Sequence, residues 1–434
     1  MRGPVPKPEK RPKAPERRWI LLAVLAGLAL RLAFSLLYWV DKPLTLDEQE
    51  YLLLARSLAS GQGYSYPAVP DEGATVIHFA RPPAYPAFMA GLLVMSGHRW
   101  EGPPRLPRSS SEIPREVVIA QALLGALAVW LIARLTRLVA GPGAAVIAAA
   151  LAAVYPPLVW TCAYALSETL YSVLGLVMVA LLVGASDGRA RAPLGLGLLA
   201  GLVAGVAVLT REAMVFFLPL AGLYLLLRRR PGVLATLALG TAIVLGPWVA
   251  RNYVVLDRLV LTAAHGGVTF WTGNNSLARG EGDLAANPEV KRARIALEAQ
   301  HAGISSADMD AVYYREALRF IVTQPLAWSA LLVKKLFYTV VPVGPSYTLH
   351  STRYFLGSVI PYGLLVPFAF AGVIRLGPRR AALWPAWLLG LSVVVVCLVF
   401  FPQERFRIPV IDPLLIICAA SCAAPRAPGQ GLTV

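Results

Sequence analysis

The feature that most constrains this chain is a set of long runs almost free of charge. Residues 19–40, 117–133, 233–250, 354–374 and 381–401 are apolar over lengths that approach the ~20 residues a helix needs to cross a bilayer. Composition agrees. Of the 434 residues, 57% are hydrophobic and only 15% charged, and the mean hydropathy is +0.61. A soluble domain carries about a quarter charged residues. The sequence therefore specifies an all-α polytopic membrane protein. A cytosolic globular protein, a disordered chain, a disulfide scaffold and a nucleic-acid-binding domain are excluded as descriptions of the whole.

The net charge of +16 follows from that class, because membrane proteins hold Lys and Arg on the cytoplasmic side. It implies no nucleic-acid partner. The Pro-rich, basic tail 1–18 reads as disordered and cytoplasmic, so 19–40 crosses outward. Arg134/Arg137, Arg189/Arg191, Arg228–Arg230, Arg375/Arg379/Arg380 and Arg426 each follow an apolar run and belong inside. All of them can lie inside only if residues 82–97 do not cross. The apolar stretch there, 84–94, is short and broken by Pro86, so it reads as a juxtamembrane helix.

Ten spans result, over 19–40, 117–133, 143–159, 168–183, 194–209, 213–227, 233–250, 354–374, 381–401 and 408–424, with both termini inside. Lys and Arg are then roughly threefold denser in the inner segments than in the outer ones. The chain divides into a cytoplasmic tail 1–18, a transmembrane module 19–250 with a large outer loop 41–115, an extracytoplasmic loop 251–353, C-terminal transmembrane helices 354–424 and a tail 425–434. Surface helices are expected over 289–300 and around 311–322. Residues 327–341 are apolar but interrupted by Lys334-Lys335; the segment lies on the outer interface or dips into the membrane as a hairpin. No internal repeat is evident. The first apolar run is too long for a cleaved leader and lacks a small-residue cleavage site. Cys162, Cys397, Cys418 and Cys422 lie in or beside apolar runs and read as packing residues.

The polar residues that remain gather at the outer face. Asp47-Glu48-Gln49-Glu50-Tyr51 follows the first span. Its paired carboxylates supply a general base with a neighbour that tunes or orients it, or simply the acidic first turn of a helix continuing through Ser57. Arg81 before Pro82-Pro83 suits a phosphate, whose oxygens its fork can bind in pairs, or snorkels to lipid headgroups. His78, nearby, reads as an ordinary loop histidine. Arg405-Phe406-Arg407 occupies a short outer turn against the positive-inside trend. It serves a phosphate partner or an ion pair with Glu404 or Glu48.

Arg211, between two short runs, and Glu168, after Ser167, imply a water-filled cavity in the outer leaflet, since charges facing lipid are costly. Glu168 as a bare motif is a helix start. Arg31, within the first span, needs a partner inside the bundle. Asn274-Asn275-Ser276 matches a glycosylation sequon. No Walker A loop, His-Glu-x-x-His motif, nucleophile elbow or Cys/His cluster occurs, so ATP coupling and zinc hydrolysis are not expected.

These residues carry a resemblance. Leu46-Asp47-Glu48 through Ala55-Arg56 and Gly61, then Arg81-Pro82-Pro83-Ala84-Tyr85-Pro86, resembles the GT-C type polyprenyl-phosphate-sugar glycosyltransferases. That superfamily includes the protein O-mannosyltransferases and the aminoarabinose transferase of lipid A. Tyr155-Pro156, Ser167-Glu168-Thr169-Leu170, Leu209-Thr210-Arg211-Glu212, Pro247-Trp248 with Arg251-Asn252-Tyr253, Trp271-Thr272-Gly273-Asn274-Asn275 and Glu404-Arg405-Phe406-Arg407-Ile408-Pro409 continue it along nearly the whole chain. The closest likeness is to the bacterial branch.

The resemblance implies juxtamembrane helices packed over a cavity that a donor's lipid tail enters between spans. It carries the base role onto Asp47, with Glu48 adjacent, and a donor-phosphate role onto Arg81, where relatives often have Lys. Arg405 and Arg407 are further candidates for the phosphate. Tyr51, Glu168, Arg211 and Arg251 are candidates to line the cavity. The expected partners are a polyprenyl-phosphate-linked sugar, an extracytoplasmic acceptor and membrane lipids. The expected reaction is inverting glycosyl transfer at the outer face of a bacterial plasma membrane. No cofactor is required, although the acidic cluster could hold a divalent metal. The alternative is a lipid-linked-sugar flippase or small-solute transporter, which would place its functional charges deep in the spans.

Overall fold

The computed structural model describes residues 15–67, 76–77, 81–98, 106–186, 191–257, 259–262, 266–282, 284, 286–341, 343–344 and 351–423. Most of the tail 1–18, all of the tail 425–434 and His78 lie outside them. The described chain is helical apart from a two-residue antiparallel ladder pairing Tyr66–Pro67 with Val76–Ile77.

Helix α1 (Pro15–Ala33) continues through a π turn at Phe34–Tyr38. Leu21, Leu22, Leu25, Leu30 and Leu37 along it are exposed, a pattern that is stable only where the surroundings are lipid. Helices α2 (Leu46–Ala59) and α3 (Ala84–Ser96) pack together under a cluster of Tyr51, Leu52, Ala55, Tyr85, Met89 and Leu93. As expected, α3 is a short apolar helix. It begins after Pro83 and ends at Gly97, whose φ of 68° closes its last turn in the left-handed conformation. Helix α4 (Arg115–Val154) is two helices in series, broken at Gly141 (φ 86°) with Pro142 opening the second.

Then follow α5 (Pro156–Trp160), α6 (Glu168–Ser186) and α7 (Pro193–Thr210). A 3₁₀ turn at Glu212–Phe216 leads into α8 (Phe217–Leu227), and α9 (Pro231–Leu256) packs back on α7. There a Cβ on Gly201 would lie 2.2 Å from the Leu237 carbonyl oxygen, and one on Gly240 2.4 Å from that of Leu198. Only glycine allows backbones this close, the usual means of joining helices where lipid removes the hydrophobic drive.

The second long loop supplies α10 (Gly266–Gly273), α11 (Pro288–Gln300), α12 (Ser306–Thr323) and α13 (Pro325–Val340). Last come α14 (Thr352–Leu376), α15 (Trp384–Val399), the single turn α16 (Glu404–Arg407) and α17 (Ile411–Ala423). Among the described residues seven helical segments are long and apolar enough to cross a membrane, on α1, α4, α6, α7, α9, α14 and α15. The other three expected crossings fall on the second half of α4, on 212–227 and on α17, all shorter.

Two expectations change and one is met: Arg31 finds its partners inside the bundle, in backbone carbonyls. Its Nη1 donates to the carbonyls of Gly27 and Ala153 and its Nη2 to that of Ala152. It thus serves the orphan carbonyls at the C-terminal end of α4, where a cation also meets the favourable pole of the helix dipole. Asn274 is no glycan acceptor: it is 1% exposed. Its side chain donates to the carbonyls of Phe270 and Val399 and accepts from Trp328 Nε1 and Lys335 Nζ. Lys335 does not interrupt α13 as a surface charge, because it is buried on Asn274 and the Leu398 carbonyl. Helices α12 and α13 meet at a bend of 106°.

One end of the bundle collects four turns. Pro43 bridges to Ser109, Glu48 reaches Ala165, Arg211 pairs with Glu168 and Arg405 pairs with Asp47. The first loop, the α5–α6 connection, the α7–α8 turn and α16 therefore share one face.

Candidate active site

The site begins with how α2 starts. Thr45 is its N-cap: its hydroxyl accepts from the Glu48 amide, and Glu48 Oε2 accepts from both the amide and the hydroxyl of Thr45 at 2.9 Å. This is a capping box. Glu48 Oε1 accepts from the Ala165 amide at 3.0 Å, so both oxygens are engaged and the residue is fully buried. Burial pushes its carboxyl above the ordinary value, against the hydrogen bonds from Thr45 and Ala165. Of the two adjacent carboxylates, Glu48 builds the turn.

With Glu48 turned inward, Asp47 projects the other way, and Glu50, three residues on, shares its face. Arg81 lies between them: its Nη2 donates to Asp47 Oδ1 at 2.5 Å and its Nε to Glu50 Oε2 at 2.6 Å. The Arg81 guanidinium sits over the Tyr51 ring, 5.7 Å from its centroid, and Tyr51 meets Tyr85 edge-on. The Arg81 carbonyl accepts from the Tyr64 hydroxyl. From the other side, Arg405 on α16 donates from Nη1 to Asp47 Oδ2 at 2.5 Å and from Nε to Gln403 Oε1 at 2.8 Å. Asp47 is thus gripped on both oxygens by two guanidiniums from opposite ends of the sequence.

Burial alone would raise the Asp47 carboxyl, but Arg405 and Arg81 override it and hold it well below the usual carboxylate range. Burial would depress both arginines, and their carboxylate partners, Asp47 first, more than reverse this. The trio remains accessible: the side chains of Asp47, Arg81 and Arg405 are 20%, 25% and 37% exposed.

The other sequence candidates sit around this centre. Glu168 Oε1 pairs with Arg211 Nη1 at 2.8 Å, and Arg211 stacks on Phe406, whose ring Arg405 also approaches. Arg251 lies against the Trp248 and Tyr64 rings, and Tyr64 in turn donates to the Arg81 carbonyl. Arg407 does not join Arg405. Its Nε is 3.0 Å from Asp412 Oδ1, its Nη2 is 3.5 Å from Glu404, and its guanidinium lies 3.8 Å from the centroid of Tyr362. The ion-pair alternative for the Arg405–Arg407 turn is realised with Asp47, Glu404 and Asp412, and not with Glu48.

Sequence reasoning missed Glu50, Gln403 and Asp412. The i,i+3 spacing of Asp47 and Glu50 was the available signal for the first. An Asp within an apolar run, which must be paired, was the signal for the last. Among the described residues no group of three or more His, Cys, Asp or Glu side chains is placed to hold a metal. Asp47 and Glu50 instead hold a guanidinium.

Residues 112–250 match the family described as dolichyl-phosphate-mannose-protein mannosyltransferase. That stretch includes Glu168 and Arg211 but neither Asp47, Arg81 nor Arg405. The archaeal oligosaccharyltransferase AglB from Archaeoglobus fulgidus, solved with an inhibitory peptide and a dolichol-phosphate, superposes with a TM-score of 0.55. The identity is 14%, over 94% of this chain and 50% of that one. The fold is GT-C-like. An oligosaccharyltransferase of the same archaeon, tethered to an acceptor peptide containing the NVT sequon, gives a TM-score of 0.52 at 15% identity over 95% and 49%. ArnT from Cupriavidus metallidurans, bound to undecaprenyl phosphate, gives 0.43 at 14% identity over 93% and 77%. This chain spans about half the length of the archaeal enzyme. No curated protein matches it by sequence. The resemblance read from the motifs is borne out apart from its bacterial branch, which these matches do not address, and the protein is an integral membrane protein.

Proposed function

We propose that this protein is a membrane glycosyltransferase that moves a sugar from a polyprenyl-phosphate donor to an acceptor on the extracytoplasmic side of a bacterial plasma membrane. The termini then lie in the cytoplasm. The observation that carries the reading is Asp47 held between Arg81 and Arg405 at one accessible face of a GT-C-like bundle. The dolichol-phosphate bound to AglB supports a lipid phosphate as the donor's carrier.

In the proposed reaction an acceptor hydroxyl or amine gives its proton to Asp47 and attacks the anomeric carbon from the face opposite the phosphate. The bond from that carbon to the phosphate oxygen breaks, its electron pair stays on the phosphate, and the sugar is inverted. Arg81 and Arg405 stabilise the charge that develops on the leaving phosphate. The base role falls to Asp47 alone, and Glu48 supports the turn that presents it. No step requires a cofactor.

The test uses membranes carrying wild type or Asp47→Asn, supplied with a panel of polyprenyl-phosphate sugars, with release of free lipid phosphate as the readout. Wild type is expected to release it from one donor, and the variant ~10²–10⁴-fold more slowly, the usual worth of a general base. Absence of release from every donor, in membranes that retain native acceptors, would overturn the reading and make transport the next assay.

A further inference from the structure

Arg81 and Arg405 are held in the same way. Each gives its Nε edge to an acceptor other than Asp47: Arg81, just ahead of α3, to Glu50 on α2, the helix that also carries Asp47, and Arg405 to Gln403 at the start of its own helix α16. Each gives one terminal nitrogen to Asp47. Every guanidinium therefore has an anchor at its inner edge and a shared partner at its tip. Glu50 is the better enclosed of the two carboxylates, with 12% of its side chain exposed against 20% for Asp47.

A carboxylate whose two oxygens each meet a guanidinium presents the charge and spread of two phosphate oxygens. We propose that Asp47 occupies the donor phosphate's place in the resting site, and that Glu50 is the positioning residue that keeps Arg81 aimed when phosphate displaces Asp47. This rests on the function proposed above. When the phosphate enters, both arginine tips move from carboxylate to phosphate oxygens, while Nε of Arg81 stays on Glu50 and Nε of Arg405 on Gln403. Asp47 then loses the two cations that suppress its basicity and gains an anionic neighbour that raises it further. The donor thereby activates the base, and the protein has little power to deprotonate an acceptor before an anomeric carbon is in place.

The exchange makes Asp47 a competitor of the ligand, which gives its removal an unusual sign. The experiment titrates purified full-length protein in detergent with farnesyl phosphate, with inorganic phosphate in parallel. Asp47→Asn is expected to bind farnesyl phosphate about 10-fold tighter than wild type, within the 5–150-fold range of typical site couplings. Glu50→Gln is expected to bind it about 10-fold more weakly, and Glu50→Asp to restore most of that loss.

Unchanged or weaker binding by Asp47→Asn would overturn the exchange while leaving the transferase reading standing. Full affinity in Glu50→Gln would overturn its positioning role. Failure of wild type and Asp47→Asn alike to bind farnesyl phosphate would overturn the proposal together with the function it rests on. Equal affinity for inorganic phosphate would make the ligand a free phosphate and overturn the lipid-linked identity.

Discussion

Two clusters of arginine and carboxylate lie within a few residues of each other on α16, and they are built differently. Around Arg405 the charges are Asp47, Arg81 and Glu50, gathered from distant stretches of chain; Asp47, Arg81 and Arg405 are partly open, and Glu50 is more enclosed. Around Arg407 they are Asp412 and Glu404, neighbours in sequence; Arg407 and Asp412 are 4% and 0% exposed, and Tyr155 adds a hydrogen bond to Asp412. An open cluster can exchange a partner with a ligand, because water and ligand atoms can replace whatever leaves. A closed one cannot, and a charge stranded inside it has no substitute. The difference assigns the two arginines opposite duties. Arg407 fixes α16 to α17, and Arg405, carried on that fixed turn, faces the exchangeable carboxylate.

The contrast breaks most sharply under matched substitutions. Asp412→Asn takes from the buried Arg407 its nearer carboxylate and leaves it the longer contact to Glu404, and is expected to cost about 3 kcal/mol of stability, the low end for a broken buried pair. Asp47→Asn, in the open cluster, is expected to change stability by no more than about 1 kcal/mol, the usual worth of a solvent-accessible ion pair, while nearly abolishing turnover. Thermal denaturation of both variants in the same detergent decides it. Equal loss of stability in the two would dissolve the distinction between a frame and a site.

A smaller effect sharpens the division within Asp47-Glu48 itself. Thr45→Ala removes the hydroxyl that caps α2, and is expected to cost about 1 kcal/mol. It should lower the rate chiefly by displacing Asp47, so kcat falls while the affinity for farnesyl phosphate is kept or raised. Weakened binding with unchanged kcat would place the cap's importance elsewhere.

The fold was largely legible because its strongest signals are one-dimensional. Apolar run length and Arg distribution locate helices without knowledge of their packing, and the short run at 84–94 marks α3, although Pro86 sits in its first turn, where a proline is tolerated, and does not break it. The site was legible only in part, for a physical reason. Residue types told that Asp47, Arg81 and Arg405 suit phosphate and proton chemistry. Which of Asp47, Glu48 and Glu50 does so depends on a rotation about α2 that the Thr45 cap decides; the Thr-x-x-Glu spacing that encodes that cap went unread, and Asp47-Glu48 stayed open between a catalytic pair and an acidic first turn. Arg407 was misplaced for the complementary reason. Its partner Asp412 lies inside an apolar stretch, where the eye counts hydrophobic residues and passes over the single charge that must be answered.

The least effect is a shift in pH dependence, and it bears directly on the exchange. The folded-state pKa of Asp47 is lowered, so its clamp contributes stability that is fully present above the ordinary carboxylate value of ~3.9 and is lost as pH falls from there toward the depressed one. Between pH 5 and 8 the resting site should therefore not titrate, and wild type and Asp47→Asn should differ in melting temperature by a constant amount. Catalysis reports a second value. The acid limb of kcat/KM follows Asp47 in the free protein, and that of kcat follows it in the donor complex. If phosphate takes both arginines, the carboxyl recovers toward its ordinary value only in the complex, and the acid limb of kcat must lie at higher pH than that of kcat/KM. Coincident limbs would mean that Asp47 keeps its arginines throughout the reaction, and that the donor phosphate is held by other groups.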